Sequence, residues 1–345
     1  WQFSLVLLAF GAFNYWLGIR VSISPARKKT LAAVGIAVNL LVLFLFKYHD
    51  FYMPALQGLL EKMGFEQISD GLQILVPVGL SFLVVQAISY LLDVANGRLK
   101  AERDLVKFWV YVVYFPKLLS GPVERAGHFL SRLEKPLPFN RELLERSLSL
   151  ILTGLFRKIV FADELFRMIP QDAFVTPQVY SGQHLVFWLL GYAFALVNDF
   201  SGYTAIVRGV SLWFGIELNI NFKLPYFSHS FTEFWTRWHI SLSSWLQDYI
   251  YFPFSWSLTR RFNKRGKFIA LVVPPLVTMM VSALWHGLSW NMLVWGGLHA
   301  LYLIGERVLG LIKRPIPLSK QTRAQRALGM SITFLLATVA WLPFH

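Results

Sequence analysis

Apolar residues gather in long runs along this chain, and a helix that crosses a bilayer needs about 20 of them. Such runs cover 1–19, 31–46, 72–92, 183–200, 268–284, 290–309 and 328–344. A weaker run, 147–166, is interrupted by Arg157, Lys158, Asp163 and Glu164. Residues 106–119 are apolar but short, and the pattern predicts a half-span that turns at Pro116. A broken segment of this kind is tolerated in a membrane only where protein or a water cavity surrounds it. The stretches 120–146 and 217–262 mix aromatic and polar residues every few positions. They predict helices and loops lying at, or dipping into, the membrane interface.

The connections between runs alternate in charge. Residues 20–29 hold Arg20, Arg27, Lys28 and Lys29, and residues 97–107 hold Arg98, Lys100, Arg103 and Lys107. Residues 259–267 and 311–327 carry five basic residues each. Residues 50–71 set Asp50, Glu61, Glu66 and Asp70 against a single Lys62, and 170–182 contain no Lys or Arg. Cytoplasmic loops collect Lys and Arg, so the four basic connections are expected inside and the other two outside.

Composition agrees. Of 345 residues, 55% are hydrophobic and 15% charged, and the mean hydropathy is +0.49. A soluble domain carries about 25% charged residues, so a soluble enzyme and a disordered chain are both excluded. Thirty Phe, 13 Trp and 13 Tyr suit the membrane–water boundary. The class expected is an all-α polytopic membrane protein. With no internal repeat or linker, residues 1–345 read as a single integral-membrane domain, and the start at Trp1 inside an apolar run reads as a chain cut at its ends. The net charge of +14 is accounted for by the basic loops, with no need for nucleic acid. The absence of Cys excludes disulfides, thiolate metal sites and a Cys nucleophile, and no metal site is expected. No G-x-S-x-G, H-E-x-x-H or glycine-rich nucleotide loop is present.

Polar residues inside apolar helices are costly, so each is a candidate for function. His286 sits in the 41-residue apolar stretch 268–308, between Trp285 and Gly287 and ahead of Asn291. A neutral imidazole held in protein can take a proton from a hydroxyl. His299, thirteen residues on and beside Gly296 and Gly297, reads instead as a packing residue between helices. In the segment 231–249, helical spacing predicts Trp235, His239 and Ser243 on one face, Glu233 paired with Arg237, and Asp248 on a third face. Asp199 closes an apolar span that Gly202 is expected to break. Arg260, Arg261, Lys264, Arg265 and Lys267 either fix topology or attract an anionic donor from the cytoplasm.

Taken in order, these blocks resemble the membrane-bound O-acyltransferase family, in its bacterial branch of alginate O-acetyltransferase membrane subunits. The resemblance rests on Phe115-Pro-Lys-Leu-Leu-Ser-Gly-Pro-Val-Glu-Arg125 and Asp199-Phe-Ser-Gly-Tyr-Thr204. It rests equally on Thr232-Glu-Phe-Trp-x-Arg-Trp-His239-Ile-Ser-Leu-Ser-x-Trp-Leu-x-Asp248-Tyr249, on Trp285-His286-Gly287-x-x-Trp290 and on Trp295-Gly296-x-x-His299. It covers about 105–310, the expected catalytic core. It implies a ring of tilted transmembrane and re-entrant helices around a central tunnel, in the bacterial inner membrane. It implies that His286 and His239 are catalytic, and that Asp199, Arg237, Asp248, Trp285 and Asn291 line the tunnel or support the pair. It implies no bound cofactor, and acetyl-CoA or an acyl carrier protein as the donor. The implied partners are the lipid bilayer, a periplasmic acyltransferase partner and a polysaccharide acceptor. The activity implied is transfer of an acetyl or similar short acyl group, with D-alanyl transfer to teichoic acid as the alternative. A transporter or flippase would also bury histidines on broken helices, but such folds are commonly built from repeats, which this sequence lacks.

Overall fold

The computed structural model describes residues 2–64, 77–312 and 320–344, leaving aside the side chains of 2, 3, 263–268 and 312. Among these residues the regular structure is helical, with no strand. Among the described residues, five helices are long and apolar enough to cross a membrane: Ser4–Ile23, Lys28–Lys47, Gly182–Trp213, Ile269–His286 and Arg323–Phe344. The chain forms two compact units. One comprises Trp1–Phe139 with Phe214–Leu218, the other Asn140–Trp213 with Asn219–His345.

In the first unit, α1 (Gln2–Ile23) and α2 (Lys28–Lys47) pack on each other and on α4 (Leu80–Ala95). Asn14 and Asn39 exchange side-chain hydrogen bonds of 3.0 and 2.8 Å across the α1–α2 contact. In a surrounding of apolar side chains such an amide pair fixes the register of two helices. Of the sixteen residues of α4, fourteen are buried, so its all-round apolar sequence is explained by protein on every side. The span expected at 72–92 is therefore a shorter core helix from Leu80, and 72–76 lie outside the described residues.

Two expectations here are corrected. The acidic 50–71 segment was expected as a loop, but α3 (His49–Lys62) occupies most of it, with no buried residue; 65–71 lie outside the described residues. Leu56, Leu59, Leu60 and Met63 recur at helical spacing there, and Pro54 lies close enough to the start to be tolerated. The half-span does not turn at Pro116. It breaks at Tyr114, between α5 (Leu105–Val113) and α6 (Phe115–Leu118). Proline lacks an N–H and its ring collides with the carbonyl four residues earlier, so the helix ends ahead of it. Beyond α6 the chain runs through α7 (Ala126–Glu134).

The second unit begins with α8 (Arg141–Leu155), which runs through a π-helical stretch, Phe156–Asp163, into α9 (Glu164–Met168). It packs along α10 (Gly182–Trp213). Gly202 does not break α10. A Cβ at Gly154 would lie 2.7 Å from Gly202 O, and one at Gly202 would lie 2.8 Å from Gly154 O. These glycines let two backbones touch, and Ser147 Oγ donates to Gly209 O at 2.7 Å along the same seam.

The segment expected at the interface becomes α11 (Phe231–Arg237), α12 (Ile240–Leu246) and a π turn, Gln247–Tyr251. From there α13 (Phe252–His286) runs unbroken for 35 residues. The basic 259–267 stretch is therefore helical and not a loop. Arg and Lys favour helix, and a lone Gly266 is too weak a breaker to end it. At ~1.5 Å per residue α13 is about 52 Å long, well beyond the ~30 Å hydrocarbon core. The unit closes with α14 (Trp290–Ile312) and α15 (Arg323–Ala340). Gly296 lets α14 approach α13, since a Cβ there would sit 2.8 Å from Met279 O.

Candidate active site

The α11–α12 junction sets the first histidine. Ser230 caps α11, its hydroxyl accepting from Glu233 N at 3.1 Å. Glu233 accepts from His229 N at 2.8 Å and from Arg237 Nη2 at 2.6 Å, so the expected Glu233–Arg237 pair forms. The helix then stops. Trp238 is extended, and His239 adopts left-handed backbone angles, φ 41° and ψ 53°. A non-glycine residue in that region costs on the order of 1–3 kcal/mol, and such strain clusters at functional sites. The neighbouring strand-like segment holds it there. Lys223 N donates to Arg237 O at 3.0 Å, Ile240 N to Asn221 O at 2.9 Å and Ser241 N to Asn221 Oδ1 at 3.2 Å.

The break overturns the expected shared face of Trp235, His239 and Ser243. Ser243 Oγ turns back to donate to Trp238 O at 2.9 Å. Trp235 packs 5.0 Å from His299. His239 faces elsewhere: its ring stands edge-on to Phe200 at 4.8 Å, with Phe222 at 6.4 Å and Trp285 at 6.5 Å. It is 3% exposed, and its Nδ1 has no hydrogen-bond partner among the described residues. A buried polar atom left open in this way calls for a partner that the described residues do not supply.

His286 ends α13, where Gly287 runs out extended. Its ring meets Trp285 at 4.9 Å, Trp295 at 5.2 Å and Phe344 at 5.2 Å, each nearly edge-on. Trp285 therefore contacts both His286 and His239, and the two histidines expected to be catalytic come into one neighbourhood. His299 is fully buried in a ring of aromatics that shares Trp295 with His286. Trp235 and Trp295 lie 5.0 Å away, Trp341 5.9 Å and Phe231 6.0 Å, and neither ring nitrogen has a hydrogen-bond partner among the described residues.

The other expected residues scatter. Asp199 is one residue from Phe200, but its carboxylate lies 2.5 Å from Lys158 Nζ. Arg237 is held by Glu233. Asp248 is exposed in the π turn, and Asn291 is exposed in the first turn of α14. Arg260 and Arg261 are exposed on α13, while the side chains of Lys264, Arg265 and Lys267 lie outside the described residues. Two contacts were not singled out from sequence: Trp295, which touches both His286 and His299, and Phe344 beyond α15. The Trp-Gly-Gly-Leu-His spacing was the signal for Trp295. For Phe344 there was none.

Trp235 also lines a cavity of about 310 Å³. Thr232, Gln247, Thr278 and Arg307 give it polar edges among Leu246, Phe252 and Leu303. Pro275 also lines it, and prolines 274 and 275 leave two carbonyls of the preceding turn without N–H partners.

The sequence profile of the membrane-bound O-acyltransferase family matches residues 98–342. The chain belongs to that family. It is 33% identical over 356 residues to a probable alginate O-acetylase of Pseudomonas syringae pv. tomato, covering 100% of this chain and 64% of that protein. It is 34% identical over 342 residues to a probable alginate O-acetylase of Azotobacter vinelandii, covering 98% of this chain and 64% of that protein. A teichoic acid D-alanyltransferase of Streptococcus thermophilus is 29% identical over 288 residues, covering 77% of this chain and 68% of that protein. The chain thus spans just under two thirds of the length of the two alginate O-acetylases. In this member of the membrane-bound O-acyltransferase family, Trp285 contacts both His239 and His286, and the matched stretch contains every helix of the second unit, from the start of α8 to the end of α15.

Proposed function

We propose that this chain acts as a multi-pass O-acyltransferase of a bacterial inner membrane. It moves an acetyl or similar short acyl group from a cytosolic thioester, acetyl-CoA, toward a hydroxyl of an extracytoplasmic polysaccharide or a periplasmic acyl-transfer partner. The observation that carries this reading is the convergence of His239 and His286 on Trp285, with His239 Nδ1 left open.

The chemistry needs a base and an electrophile. Neutral His286 accepts the proton as the acceptor oxygen attacks the acyl carbon. His239, as the Nδ1–H tautomer, donates to the acyl oxygen as negative charge builds there. The carbon–sulfur bond then breaks, and the proton on His286 passes to the departing thiolate. Trp295 Nε1 is buried, without a hydrogen-bond partner among the described residues, and beside His286, which makes it a second donor candidate. The cavity that Trp235 lines suits the donor's arm, with Arg307 at its wall for an anionic group. Arg260 and Arg261 would draw such a donor to α13 from the cytoplasm.

A second reading, D-alanyl transfer from a carrier protein, is favoured by the similarity to the D-alanyltransferase. Proteoliposomes loaded with acetyl-labelled CoA and bathed in alginate distinguish the two. Label should appear on the polysaccharide when the periplasmic partner is added. Absence of acetyl transfer, with D-alanyl transfer from a charged carrier protein in its place, would overturn the acetyl reading.

A further inference from the structure

Arg157 and Lys158 are adjacent in the π-helical stretch and are compensated very differently. Lys158 Nζ lies 2.7 Å from Asp163 and 2.5 Å from Asp199, so its charge is met twice. Arg157 meets no carboxylate among the described residues. Its side-chain hydrogen bond among the described residues goes to the Ser201 hydroxyl, at a long 3.5 Å. Lys223, from the segment that braces His239, has no side-chain partner among the described residues.

Both cations line one cavity of about 450 Å³ within the second unit. The rest of its wall is largely apolar. Phe194, Leu224 and Phe227 line it and are 47%, 65% and 58% exposed, with Phe334 behind them. On a membrane-spanning unit, exposed rings of this kind are covered by lipid. An uncompensated cation beside hydrocarbon is unfavourable, and basic pockets between transmembrane helices hold lipid head groups. A small soluble anion would satisfy the two charges and leave the aromatic wall bare. An anion that brings its own hydrocarbon satisfies both.

The geometry points to a binding cleft for an anionic glycerophospholipid. The phosphodiester is held between Arg157 and Lys223, where a guanidinium offers two parallel N–H donors to phosphate oxygens. An acyl chain lies along Phe194 and Phe227. The cleft also includes Phe222, whose ring stands 6.4 Å from His239, so an occupied cleft supports one wall of the candidate active site. The site is independent of which acyl group is moved.

The test is retention of lipid, which needs no transfer assay. The protein is reconstituted in phosphatidylcholine nanodiscs containing a minor fraction of phosphatidylglycerol, then extracted and examined by native mass spectrometry. The wild type should retain phosphatidylglycerol in preference to phosphatidylcholine. Arg157→Gln/Lys223→Gln should lower its affinity for phosphatidylglycerol by at least about tenfold. Arg157→Lys/Lys223→Arg, which keeps both charges, should retain the lipid, as should Arg20→Gln/Arg27→Gln, which removes two exposed cations elsewhere. Equal retention of the two lipids by the wild type, or undiminished phosphatidylglycerol on the double Gln variant, would overturn the proposal. So would displacement of the lipid by free coenzyme A, which would assign the cations to the donor.

Discussion

Two buried histidines differ in what surrounds them: His299 packs against the rings of α11, and His239 sits at the start of α12. Both are almost wholly inaccessible, and both have a ring nitrogen without a hydrogen-bond partner among the described residues. His299 is enclosed by Trp235, Trp295, Trp341, Tyr302, Phe231 and Phe234, a core in which each ring supports another. His239 is held in a left-handed backbone conformation by Asn221, and it shares Trp285 with a second histidine. Burial alone therefore does not distinguish the two. A shared tryptophan does not either, since Trp295 touches both His286 and His299; the left-handed backbone of His239 does.

The largest expected effect tests the reactive side. Removing a general base typically costs about 10²–10⁴-fold in rate. His286→Gln should fold and insert, bind donor, and lose transfer by that factor, measured as label transferred per folded molecule. His239→Gln should do the same. Near-wild-type transfer by purified His286→Gln would remove the base from the mechanism and leave the pair without a role.

The next effect tests the packed side. His299→Ala opens a cavity among six aromatic rings, and truncation of a large buried side chain costs about 3 kcal/mol. A lowered melting temperature in detergent is the expected result. His299→Phe sharpens the comparison, because it keeps the volume and removes two nitrogens that have no hydrogen-bond partner. Replacing an unsatisfied polar group by an apolar one of similar shape is near neutral. His299→Phe should therefore melt close to wild type and keep its activity. A folded but inactive His299→Phe would move His299 to the reactive side.

The sequence made this comparison only partly legible. Apolar runs located α1, α2, α10, α13, α14 and α15, because a bilayer imposes helix on any long apolar stretch. The pairing of Glu233 with Arg237 followed from helical spacing. The break at His239 did not, since Phe-Trp-Thr-Arg-Trp-His-Ile-Ser contains neither Gly nor Pro. Histidine tolerates a positive φ better than most residues, but the bonds from Asn221 that enforce it come from twenty residues away. The same limit explains Gly202. Read locally it breaks a helix, and only the approach of α8 shows that it serves close packing. It explains α4 as well, where an apolar run marks burial in protein as readily as burial in lipid.

The smallest effect concerns α15, whose end delivers Trp341 to the His299 ring and Phe344 to His286. Thr322 caps this helix in a reciprocal box. Its hydroxyl accepts from Gln325 N at 3.2 Å, and Gln325 Oε1 accepts from Thr322 N at 2.9 Å. Thr322→Ala removes the first bond and costs about 1 kcal/mol. The cap lies at the opposite end of α15 from both contacts, so the loss should act on the helix as a whole and leave the geometry at Trp341 and Phe344 intact. The variant should melt slightly lower than wild type, while transfer per folded molecule stays unchanged. A fall in transfer at unchanged melting temperature would mean that α15 acts on the His239–His286 pair through Phe344, in addition to the contact that Trp295 already makes with both His286 and His299.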